Sequence, residues 1–75
     1  MSKFNGKVLL KARKKRKFSR DDLAKKLYAL GVDVTAQALS NYETGKQVPG
    51  AEKLRGIGKV LKMDMEEFFN KQEGI

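Results

Sequence analysis

Apolar residues recur along this chain at spacings of three and four, in short runs separated by glycine, proline or polar clusters. Val8, Leu9 and Ala12 share one face of a first helix, from about Gly6 to Arg16, with Asn5 as its cap. Ser19 opens a second helix, with Asp22 three residues on in a capping box and Asp21 near the positive end of the dipole. Leu23, Leu27 and Leu30, with Ala24, give it a buried face at i, i+4 and i+7. Gly31 is its left-handed stop, and Val32 is placed for the apolar contact that follows such a cap.

Thr35 caps a third helix that Gly45 ends, with Leu39 and Tyr42 as its apolar stripe. After Pro49-Gly50 a fourth runs from about Ala51 to Lys62, turning Leu54, Ile57 and Leu61 inward. Gly56 and Gly58 lie inside it, each costing about 1 kcal/mol of helix propensity relative to alanine. Gly58 is expected to permit a close helix approach; the pattern assigns Gly56 nothing. Asp64 caps a fifth helix, with Glu67 completing a capping box and Phe68-Phe69 as its anchor. Valine, isoleucine and threonine are too scattered for strand alternation, so the expected fold is all-α with five helices. Leu23, Leu27, Leu39, Leu54, Ile57, Leu61 and Phe68 form its core, and Met63 and Met65 fill gaps.

The third helix is unusual in what it leaves outside. Ala36, Gln37, Ala38, Ser40 and Asn41 are small or amide-bearing, and none is charged. A surface helix selected only for propensity and solubility would carry lysine and glutamate there. Amides beside small residues suit a surface that approaches base edges closely and hydrogen-bonds to them. Gln37 and Asn41, four apart, lie on one face. Taken alone they read as a solvated pair on an exposed surface.

Charge supports a polyanionic partner. Residues 1–20 hold nine Lys/Arg and no acid; the other 55 hold eight basic residues against nine acids, so the net +8 sits on the first segment. Lys11 to Lys17 places six cations in seven residues, and such a block repels itself unless something compensates it. An anionic membrane would require a broad apolar face, which the bundle consumes. With no cysteine and no histidine there is no disulfide, and the usual zinc ligands and the commonest general base are missing. The acid pairs Asp21-Asp22 and Glu66-Glu67 sit at helix starts, where capping and the dipole account for them. The 75 residues therefore read as one domain over 1–75. It is expected to be soluble and cytoplasmic, not an enzyme, with no metal site, cofactor, small-molecule ligand or membrane partner.

The order of these pieces resembles the phage-repressor (Cro/repressor, XRE-like) helix-turn-helix family over about 8–69. The resemblance rests on Ala12-Arg13, Phe18-Ser19-Arg20-Asp21-Asp22-Leu23-Ala24, Leu39-Ser40-Asn41-Tyr42-Glu43-Thr44-Gly45-Lys46, Pro49, Leu54 and Met65-Glu66-Glu67-Phe68. It implies a five-helix, lambda-repressor-like domain in which helices 2 and 3 bind double-stranded DNA. Ala36, Gln37, Ser40 and Asn41 match the family's base-facing positions. Arg20, Thr35 and Lys46 match phosphate positions, to which the basic cluster adds Lys14 and Lys17. The family pattern makes Arg13 and Glu43 a partly buried ion pair rather than DNA ligands. Two departures stand out. Arg20 replaces the usual glutamine, a change that should strengthen backbone contact but lose the amide that buttresses the recognition helix in relatives. Leu27 to Val34 is about four residues longer than the shortest family turns, so residues 28–32 either add a turn to the second helix or bulge as a loop.

The expected function is sequence-specific DNA binding and transcriptional regulation, as a repressor, nucleoid-associated in a bacterium or phage. A homodimer on DNA would be weak, DNA-assisted, or made by the fifth helix and the tail Asn70 to Ile75, with Phe69 and Ile75 as apolar surface. Two other readings stay open: an antitoxin-like protein-interaction module with secondary DNA binding, and a non-specific nucleic-acid binder.

Overall fold

The computed structural model describes residues 3–69. Four α-helices follow one another, α1 Gly6–Lys15, α2 Arg20–Ala29, α3 Ala36–Thr44 and α4 Ala51–Leu61, and a short 3-10 helix, Met65–Phe69, closes the described chain. No strand occurs among the described residues. α1 packs mainly on α3, α2 bridges α3 and α4, and the 3-10 helix rests on α1 and α4. The core they enclose is Leu9, Leu23, Leu27, Val34, Leu39, Tyr42, Leu54, Ile57, Leu61 and Phe68.

The starts of the first three helices follow from single side chains. Asn5 Oδ1 accepts from the N–H of Lys7, Ser19 and Asp22 form a reciprocal capping box, and Thr35 Oγ1 accepts from the N–H of Ala38. Val34 and Leu39 occupy the hydrophobic-staple positions flanking the α3 cap, and both are buried. That staple sets the angle at which the chain enters α3.

All four helix ends use the same device. A left-handed residue, Lys17, Gly31, Gly45 or Lys62, follows each helix. The next residue's N–H then turns back to a carbonyl five positions earlier: Phe18 to Arg13, Val32 to Leu27, Lys46 to Asn41 and Met63 to Gly58. Glycine takes this conformation without strain at two of the sites; lysine takes it at the other two. The lysine stops carry no sequence signature, so α1 and α4 each end one residue before the expected boundary.

The fifth element is not an α-helix. Once Lys62 has reversed the chain, Met65–Phe69 makes a single 3-10 segment, with the N–H of Glu67 bonded to the carbonyl of Asp64 at 3.0 Å. Glu67 Oε2 accepts from the Asp64 N–H at 3.0 Å, one half of the expected capping box. Phe68 nevertheless anchors it with no exposed surface, a burial worth about 2–3 kcal/mol.

Two further expectations are corrected. Leu30 is 52% exposed, because it lies past the end of α2 and Gly31 turns Val32 inward in its place. Phe69 is half-buried rather than a free apolar surface: Phe4 stacks on Phe68 at 6.2 Å and meets Phe69 edge-on at 6.1 Å. Ile75 and the segment 70–75 lie outside the described residues.

The long connection between α2 and α3 is a loop pinned from beneath, not an added helical turn. Val32 and Val34 both face the core. Val32 accounts for Gly56: a Cβ there would lie 2.8 Å from Val32 Cγ2. Gly58 is tight against its own chain reversal rather than against another α-helix: a Cβ there would lie 2.7 Å from the carbonyl oxygen of Met63.

Candidate nucleic-acid interface

The ion pair at the centre of the fold positions everything outside it. Arg13 Nε donates to Glu43 Oε2 at 2.6 Å and Nη2 to Oε1 at 3.1 Å, while Nη1 donates to the Phe18 carbonyl at 2.8 Å. Arg20 Nε donates to the same Glu43 Oε1 at 3.0 Å. Glu43 therefore ties α1, α2 and α3 together through one carboxylate, whose side chain is only 1% exposed. It sits near the C-terminal end of α3, where the helix dipole disfavours negative charge. Two guanidiniums compensate it and leave the group with one net positive charge.

Arg20 is the exposed member, its side chain 42% accessible. With Ser19 and Asp21 it lines one wall of an open depression whose other wall is Ala36, Gln37 and Ser40 of α3. The structure thus brings Arg20 beside three of the four residues matched to base-facing positions. Asn41, the fourth, joins them through a hydrogen bond from Gln37 Nε2 to its Oδ1 at 3.2 Å. The Thr35 hydroxyl lies at the α3 N-terminus and accepts the Ala38 N–H. Lys46 is exposed at the opposite end, its N–H held by the Asn41 carbonyl. Lys14 and Lys17 are exposed around the end of α1 and do not line the depression.

The sequence reading missed Gln47. Its Oε1 accepts from Asn41 Nδ2 at 3.1 Å, so Gln37, Asn41 and Gln47 form one row of amides. The signal was an amide two residues beyond the Gly45 stop, where the chain folds back over the last turn of α3. The Gln47 N–H also bonds the Asn41 carbonyl, at 3.2 Å. The expected loss of a buttress at Arg20 is corrected: its guanidinium reaches the Glu43 carboxylate of α3, so it still braces that helix.

Electrostatics at the α2 start are local. The N–H and hydroxyl of Ser19 hold the Asp22 carboxyl below its ordinary value, with Lys25 and Lys26 adding to the effect. Among the described residues no cluster of potential metal ligands occurs, and no helix is long and apolar enough to cross a membrane.

α2 and α3 pack on one another across their connecting loop, α3 turning uncharged amides outward beside Arg20, the arrangement of a helix-turn-helix. Residues 9–68 match the family model described as helix-turn-helix, and the chain belongs to that family, in its Cro/repressor (XRE-like) branch. DNA binding and transcription regulation are the business of this family. Neither the curated proteins nor the solved structures yield a match.

Proposed function

We propose that this protein binds double-stranded DNA sequence-specifically with α3 in the major groove, and regulates transcription as a repressor by occupying its site. The observation that carries this reading is the amide row on an otherwise uncharged helix face, set beside Arg20. Gln37 and Asn41 supply donors and acceptors of the kind that pair with adenine, each good bidentate pair giving about 1–3 kcal/mol of discrimination. Ser40 adds a hydroxyl, and Ala36 offers only a methyl, suited to contact with the methyl group of thymine.

Backbone contacts set the register without reading sequence. Arg20 and Thr35 at the starts of α2 and α3, and Lys46 beyond α3, bracket the reading face. Lys14 and Lys17 add attraction from the side of α1. If four to six phosphates are neutralised, log K falls with log[salt] at a slope of roughly −4 to −5.

We further propose that two copies occupy two-fold-related half-sites, with DNA assisting their assembly. Selection from a random duplex pool followed by footprinting tests the whole reading. It returns a site with a pseudo-palindrome under this proposal, and no enriched site for a non-specific binder. Capture of a co-expressed protein with no enriched duplex would instead favour the interaction module.

A further inference from the structure

We propose that Gln47, in the loop after α3, is a specificity-determining residue that acts by fixing the orientation of the Asn41 amide. The inference rests on the DNA-reading function proposed above and goes beyond it by adding a residue outside the recognition helix.

The geometry is a directed row. Gln37 Nε2 donates to Asn41 Oδ1 at 3.2 Å, and Asn41 Nδ2 donates to Gln47 Oε1 at 3.1 Å. An asparagine amide has two N–H donors and two oxygen lone pairs. With one of each engaged in the row, Asn41 retains one N–H and one lone pair, the complement a bidentate adenine contact needs. An unsupported asparagine on a helix surface exchanges its oxygen and nitrogen by rotation, presenting the wrong pattern half the time. Here a rotation of Asn41 alone would break both bonds at once.

Gln47 is itself held for this task. Its N–H bonds the Asn41 carbonyl at 3.2 Å, so the residue donating to its side chain also anchors its backbone. The left-handed Gly45 makes that return possible. Gln47 is exposed, and its side chain has no part in the core, so its replacement leaves the fold intact.

The test compares Gln47→Ala, Gln47→Glu and Asn41→Ala with the unaltered chain, first free and then on DNA. In the free protein, proton–nitrogen correlation NMR of the Asn41 side-chain NH₂ should show the proton donated to Gln47 shifted downfield of a free amide's. That shift should fall back toward the free value in Gln47→Ala and be preserved in Gln47→Glu, which keeps the acceptor. An unchanged Asn41 NH₂ pair in Gln47→Ala overturns the proposal whether or not DNA is read. On DNA, Asn41→Ala identifies the base step that this residue reads in a selected duplex. Gln47→Ala should lose about twofold in discrimination at the same step, the penalty for an amide correctly oriented half the time, with unchanged affinity for random duplex and unchanged salt slope. The double variant should lose no more than Asn41→Ala alone. Undiminished discrimination in Gln47→Ala overturns the proposal, as does an equal loss on every duplex with a shallower salt slope. An unaltered protein that prefers no duplex overturns the DNA reading itself, an outcome that the NMR arm separates from failure of the row.

Discussion

Arg20 of α2 and Glu43 of α3 meet at 3.0 Å across the two helices of the motif, and Arg13 holds the same carboxylate from the other side. The exposed residue matched to a phosphate position is therefore mechanically part of the buried cluster that fixes the recognition helix. Removal of the two partners should have very different consequences. Glu43→Ala leaves the buried Arg13 guanidinium without its counter-charge and should cost about 3–5 kcal/mol. Arg20→Ala removes a half-exposed partner and should cost at most about 1 kcal/mol, while lowering the salt slope of DNA binding by about one. Urea denaturation measures both stabilities. Equal losses would mean that Glu43 is not held chiefly by Arg13.

Gly58 and Gly50 should respond differently to alanine. A Cβ at Gly58 meets the Met63 carbonyl oxygen at 2.7 Å, and that oxygen belongs to the backbone of the α4 reversal. Gly58→Ala should destabilise by about 1–3 kcal/mol despite its better helix propensity. A Cβ at Gly50 meets nothing within 4 Å, so Gly50→Ala should change the melting temperature little. A stabilised Gly58→Ala would show that the reversal at Met63 yields easily.

Lys62 holds a left-handed backbone at φ 58°, at a strain of roughly 1–2 kcal/mol for a residue with a Cβ. Lys62→Gly should relieve part of it and stabilise the fold by up to about 1 kcal/mol. Thermal unfolding at matched ionic strength would show a raised midpoint. A lowered midpoint would place the stabilising contribution in the lysine side chain instead.

Stability should also depend on pH through the cap of α2. Ser19 lowers the pKa of Asp22 below its ordinary 3.8. A carboxylate with a depressed native pKa contributes stability that is fully present above the unfolded value and lost as pH falls through the native one. The stability gap between the unaltered protein and Asp22→Ala should therefore be constant above about pH 5 and shrink below pH 4. A gap that persists undiminished at pH 2 would exclude the charged cap as its source.

The elements legible in the sequence were those whose signals are local. Asn5, Ser19, Thr35 and Gly31 mark their boundaries by cap chemistry that needs only a few neighbouring residues. Lys17 and Lys62 stop helices with no such mark, because the chain reversal is imposed by the packing of Phe18 and Met63 against the core. Gly56 was opaque for the same reason: its neighbour, Val32, is twenty-four positions away in a loop. At the candidate site, the i, i+4 spacing of Gln37 and Asn41 was readable, and the bond from Asn41 to Gln47 was not. That bond depends on where the chain goes after Gly45, which helical periodicity does not encode.

Competition binding at one fixed salt concentration shows whether the protein reads duplex DNA by sequence. The affinity for a duplex selected from a random pool is measured against excess random duplex of equal length. Sequence-specific readout by α3 requires at least a roughly thousandfold preference for the selected duplex; a ratio near one would rule it out.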